Sequence, residues 1–73
     1  MNKDAFLAAY RQALIETYDW ARNPAKLDLF LASVRATLDG ARTWNHDGEC
    51  VTRAWREIGG KGKPTLTALR ALA

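Results

Sequence analysis

Apolar residues recur at helical spacing along almost the whole of this chain, and nowhere do they alternate with period two for long enough to make a strand. That pattern confines the fold to the all-α class. Breakers divide it into four segments. The first covers residues 3–21, with Asn2 placed to cap it and Asp4 in its first turn, where a negative charge suits the helix dipole. Phe6, Tyr10, Leu14 and Trp20 lie on its broad apolar arc, Gln12, Glu16 and Asp19 lie opposite, and Ile15 projects from near the polar side.

The second segment, residues 24–39, has Asn23 as N-cap, Pro24 at the first helical position and Gly40 as a left-handed stop. It carries two apolar stripes. Leu27, Phe30, Leu31, Val34 and Leu38 make one face, and Ala25, Leu29, Ala32 and Ala36 fall nearly opposite. A helix that is apolar on two sides is either central to its domain or touches something else.

Asp47 caps the third segment, residues 48–58, which stops at Gly59-Gly60 with Val51, Ala54, Trp55 and Ile58 inward. Its outer face sets Glu49, Arg53 and Glu57 at successive i,i+4 steps, with Arg56 alongside, so Arg53 is expected to pair locally. Pro64 or Thr65 opens a short fourth helix, residues 65–72, with Leu66, Leu69 and Leu72 inward.

The expected architecture is therefore one domain, residues 1–73: a compact bundle of three longer helices plus a short C-terminal one. Its core should hold Phe6, Tyr10, Leu14, Leu27, Phe30, Leu31, Val34, Leu38, Val51, Trp55, Ile58, Leu66 and Leu69. A chain of 73 residues buries only about 60% of its unfolded surface, so the aromatic side chains must supply much of that core.

The longest uncharged runs, such as Ala5 to Tyr10 and Leu29 to Val34, are far short of the ~20 apolar residues of a membrane span. They also fall short of the roughly 7–15 of a signal sequence. Met1 leads straight into a helical pattern, as expected of a whole cytoplasmic polypeptide, and a lone Cys50 suits a reducing compartment.

Chemistry-bearing clusters are few. His46 and Cys50 lie in one stretch with Asp47 and Glu49, but a structural zinc site needs four ligands, usually Cys and His, and the chain has one of each. The same pair lacks the orienting group and pocket that nucleophilic catalysis demands, and so short a chain leaves little volume for a cavity of ~300 Å³ or more. The segment Gly59-Gly60-Lys61-Gly62-Lys63-Pro64-Thr65 departs from phosphate-loop spacing, because Pro64 separates Lys63 from Thr65. No catalytic residue, metal, cofactor or small-molecule substrate is expected.

Two binding expectations remain. The net charge of +3 lies entirely in the last third, since six basic and six acidic residues balance through Asp47. Arg53, Arg56, Lys61, Lys63 and Arg70 there form a stripe suited to nucleic-acid phosphates or another anion. Against this stands a protein partner or a second copy of the chain, met by apolar surface that one core does not need: Ile15, Leu29, Ala32, Ala36 and Trp44. The second expectation is preferred. The segment between the third and fourth helices is longer than a DNA-binding helix-turn-helix uses.

Overall fold

A computed structural model describes residues 1–40 and 48–73 of the chain. Its helices are α1 (Lys3–Thr17), α2 (Pro24–Leu38), α3 (Gly48–Glu57) and the short α4 (Leu66–Arg70), with a 3₁₀ turn at Asp19–Arg22. There are no strands among the described residues, and no helix there is long and apolar enough to cross a membrane.

The capping chemistry sets most of these bounds. Asn2 accepts a hydrogen bond from the Ala5 amide at 2.7 Å, and Asn23 accepts from the amides of Ala25 and Lys26. Each occupies amide groups that a helix start leaves unbonded. Thr65 does the same for α4 through Ala68. Gly40 and Gly59 take the left-handed conformation at the ends of α2 and α3, at φ of 92° and 94°. At Gly59 the closure is a Schellman motif: its amide bonds to the Arg56 carbonyl and that of Gly60 to the Trp55 carbonyl.

Two helices are shorter than the sequence reading gives them by more than one residue, the first and the last. The first α-helix stops at Thr17 and does not reach residue 21, because Tyr18 is extended (φ −126°, ψ 134°). Thr17-Tyr18-Asp19 are all modest helix formers, and the Thr17 hydroxyl donates back to the Ala13 carbonyl. The kink lets Ala21 enter the core while Trp20 turns out to 37% exposure, edge-on to Phe30 at 5.2 Å. Tyr18 also stacks on Trp20, with 6.0 Å between ring centroids. The last helix is also shorter than expected, 66–70 rather than 65–72, with Thr65 outside it as the cap.

Helix α1 is the hub. It packs against α3, α2 and the 3₁₀ turn, while α4 packs on α2. Phe6, Tyr10, Leu14, Leu27, Val34, Leu38, Val51, Trp55 and Leu69 are buried as expected. Phe30, Leu31, Ile58 and Leu66 are only partly buried, since they sit at the margins of their stripes. Small side chains fill the difference: Ala13, Cys50 and Ala54 are fully or almost fully buried, which lets α1 and α3 approach closely, and Ala21 is buried from the 3₁₀ turn. Cys50 has no exposed surface, and its Sγ lies 3.6 Å from the Thr17 hydroxyl. At the chain ends, the Lys3 amide donates to the Ala73 carbonyl oxygen at 3.0 Å.

Candidate functional site

With α1 as the hub, the outer face of α2 is left uncovered by the other described helices. Leu29 is 75% exposed at its centre. Ala25 and Ala32 beside it are exposed, and Ala36 is half-buried. An α-helix turns ~100° per residue, which puts these four within about 60° of arc, opposite the buried Leu27, Val34 and Leu38. The two-sided pattern of α2 therefore resolves into one face for the domain and one face for solvent or a partner.

Ion pairs along the flank of this face tie α2 to α1. Arg11 pairs with Asp28 at 3.0 Å, Asp4 with Arg35, and Lys3 with Asp39 at 3.9 Å. Exposed pairs of this kind contribute about 0–1 kcal/mol each, so their effect is mainly to fix how α2 lies on α1. Asp28 and Arg35 keep much of their side chains in solvent, 68% and 46%, and so retain unused bonding capacity. The opposite flank of the face carries Lys26 and Ser33.

Among the other residues expected at a protein contact, Ile15 is not surplus. It is half-buried and packs against the core. Trp44 lies outside the described residues, as do His46 and the expected cap Asp47. Periodicity along a helix running to residue 21 gave no sign that Trp20 would be exposed. The only hint was Asn23-Pro24, which requires the chain to turn nearby.

The basic stripe is divided by the fold. Arg53 turns away from Glu49 and Glu57 and pairs across helices with Glu16 at 2.9 Å, also donating to the Thr17 hydroxyl. The packing of α3 on α1 brings Glu16 within reach and overrides the local ladder. Hydrogen bonds from Gln12 and then from Arg53 hold the Glu16 carboxyl below the usual carboxylate range. Arg70 donates from Nε to the Thr37 carbonyl at the end of α2, a favourable place for a cation. Arg56, Lys61 and Lys63 are exposed and form no ion pair among the described residues.

A further concavity lies between α1 and α3, an open groove of about 520 Å³. This is more volume than a chain of this length was expected to provide. It arises because Ala5, Ala8, Ala9 and Ala13 floor it with methyl groups alone. Ile58 and Glu57 form part of the α3 wall, and the Glu16–Arg53 pair closes one end. Among the described residues, no three of His, Cys, Asp and Glu come together as a metal site would require. The chain matches no family model, no curated protein and no solved structure.

Proposed function

We propose that this chain is a non-catalytic interaction module that binds a protein through the outer face of α2. The observation that carries the reading is the 75% exposure of Leu29 on a domain whose core is complete without it. A leucine in the middle of a helix, flanked by alanines on the same face, gives a partner helix or strand an apolar anchor with little side-chain bulk around it. The exposed edge of Trp20, seated against Phe30, adds an aromatic surface beside the same helix. The ion pairs along the Asp28–Arg35 flank provide a polar rim, the usual surround of an apolar contact.

A second reading, nucleic-acid binding, is favoured by one specific observation: Arg56, Lys61 and Lys63 are exposed cations within eight residues of sequence and outside every ion pair among the described residues. It is the weaker reading, because Arg53 and Arg70 already bond to Glu16 and to the Thr37 carbonyl, which leaves three cations of the stripe without an intramolecular ion pair among the described residues.

Affinity capture from the native cell extract, with wild-type and Leu29→Arg baits and with or without nuclease, separates the two. The proposal expects at least one protein that survives nuclease and is lost with Leu29→Arg. Partners that all vanish with nuclease favour the second reading. In that case, neutralising Arg56, Lys61 and Lys63 together should flatten the slope of log affinity against log salt, by about 0.9 for each phosphate that the variant no longer neutralises. Partners indifferent to both treatments contradict both readings.

A further inference from the structure

The exposed face of α2 has an internal symmetry that bears on what covers it. Ala25, Leu29, Ala32 and Ala36 follow one another at steps of four, three and four, the spacing of a coiled-coil seam. Reversed about the midpoint between residues 30 and 31, the series maps onto itself by position, with Ala25 on Ala36 and Leu29 on Ala32. In an antiparallel helix pair, those are the residues that face each other. Each large side chain then meets a methyl group, which is the alternation that lets facing layers interdigitate. The outer layers, Ala25 on Ala36, are alanine on alanine in this register too; what a parallel pair loses is the centre, where it would set Leu29 against Leu29 with no methyl-sized site to receive either side chain.

The charges agree with the same register. Asp28 and Arg35 stand on one flank of the seam and Lys26 and Ser33 on the other. An antiparallel pair brings like flank to like flank. Asp28 of each copy then approaches Arg35 of the other, giving two ion pairs of opposite charge, while Lys26 meets only Ser33. Asp28 and Arg35 each have an intramolecular partner and exposed side-chain surface left for a second. A two-fold interface must be complementary to itself, and this one is, in both size and charge.

We infer that the occupant of this face is a second copy of the same chain. The two α2 helices lie antiparallel across a two-fold axis between residues 30 and 31, with Leu29 of each copy seated on Ala32 of the other. The inference rests on the reading of this face as a protein contact and names its partner. A seam of four small layers falls among interfaces below about 1,200 Å², so the dimer is weak and is read at high protein concentration.

Sedimentation equilibrium over a concentration series, on the whole chain, tests the register by exchanging large for small. Leu29→Ala removes the knob and Ala32→Leu fills the hole, so each alone should weaken dimerisation by roughly tenfold or more. The double variant Leu29→Ala/Ala32→Leu restores the pairing with the sizes exchanged and should return to within about threefold of wild type. Both positions are exposed in the monomer, and circular dichroism checks that all three variants keep the wild-type helix content. A wild-type chain that stays monomeric at millimolar concentration overturns the inference. So does a dimer that ignores all three variants, or one that Ala32→Leu tightens and the double variant fails to restore. Failure here leaves the broader reading to its own test, since a different protein lost with Leu29→Arg still marks the face as a contact.

Discussion

Among the glycines, Gly60 leaves the least room for a side chain, and its replacement is a sharp test of how the C-terminal half is built. A Cβ added there falls onto Cε2 and Cδ2 of the Trp55 indole and lies 2.5 Å from its Nε1, well inside ordinary van der Waals contact. The ring cannot easily move aside. It is only 7% exposed, and its Nε1 donates to the Lys61 carbonyl at 3.2 Å, so a shift gives up that bond and opens the core. Overpacking of this kind costs about 1–3 kcal/mol, and the broken hydrogen bond about 1 more, giving about 2–4 kcal/mol for Gly60→Ala. At about 4–8 °C per kcal/mol for a domain this small, the melting temperature should fall by roughly 8–30 °C. Gly59→Ala is the control. It meets open space and carries only the penalty of its left-handed conformation, about 1–2 kcal/mol. Thermal melts followed by far-ultraviolet circular dichroism measure both. A Gly60→Ala variant that melts within two or so degrees of wild type would refute the placement of the loop over Trp55.

Three further outcomes follow from the same structure. Leu27→Ala, at a fully buried position, should destabilise by about 2–5 kcal/mol, whereas Leu29→Ala should change monomer stability by no more than about 0.5; comparable losses in denaturant melts would mean that both faces of α2 are core. Because Glu16 is held below its ordinary value, its contribution is present above the ordinary carboxylate range and is lost as pH falls through the lowered value; carbon-detected NMR titration should place Glu16 below a free glutamate side chain in the same buffer and show it rising in Gln12→Ala and in Arg53→Met, and a Glu16 that titrates with or above the free side chain contradicts this. Arg70→Met removes the charged donor on the Thr37 carbonyl and should cost about 1.5–3 kcal/mol in the same melts, with an effect under 0.5 ruling out a structural role for that bond.

Much of the fold could be read in the sequence because its signals are local. Asn2, Asn23-Pro24, Gly40 and Gly59 each act on the backbone within four residues, and each stands where a helix begins or ends. The break at Tyr18 was harder to read, because modest helix formers permit it without requiring it, and the contact that accompanies it, Trp20 on Phe30 ten residues on, leaves no trace in the periodicity of one helix. Arg53 is a similar case. Two acidic residues at helical spacing pointed to a local ladder, and the packing of α1 on α3 offered Glu16 instead. The candidate surface was legible in outline. Leu29 announced itself by lying about 200° around the helix from Leu27, while the half-burial of Ile15 against the core and the exposure of Trp20 are set by tertiary packing that the pattern of one helix does not carry.

The central claim is that the outer face of α2 is a protein contact, and photo-crosslinking from position 29 tests it most directly. A benzophenone amino acid placed there in the chain, irradiated inside the native cell, should yield a discrete protein adduct, either with a second copy of the chain or with another protein. The same probe at Thr67, exposed on α4, serves as the reference. The adduct should be strong from position 29 and faint from position 67. Equal yields from the two positions, or none from position 29, would contradict it.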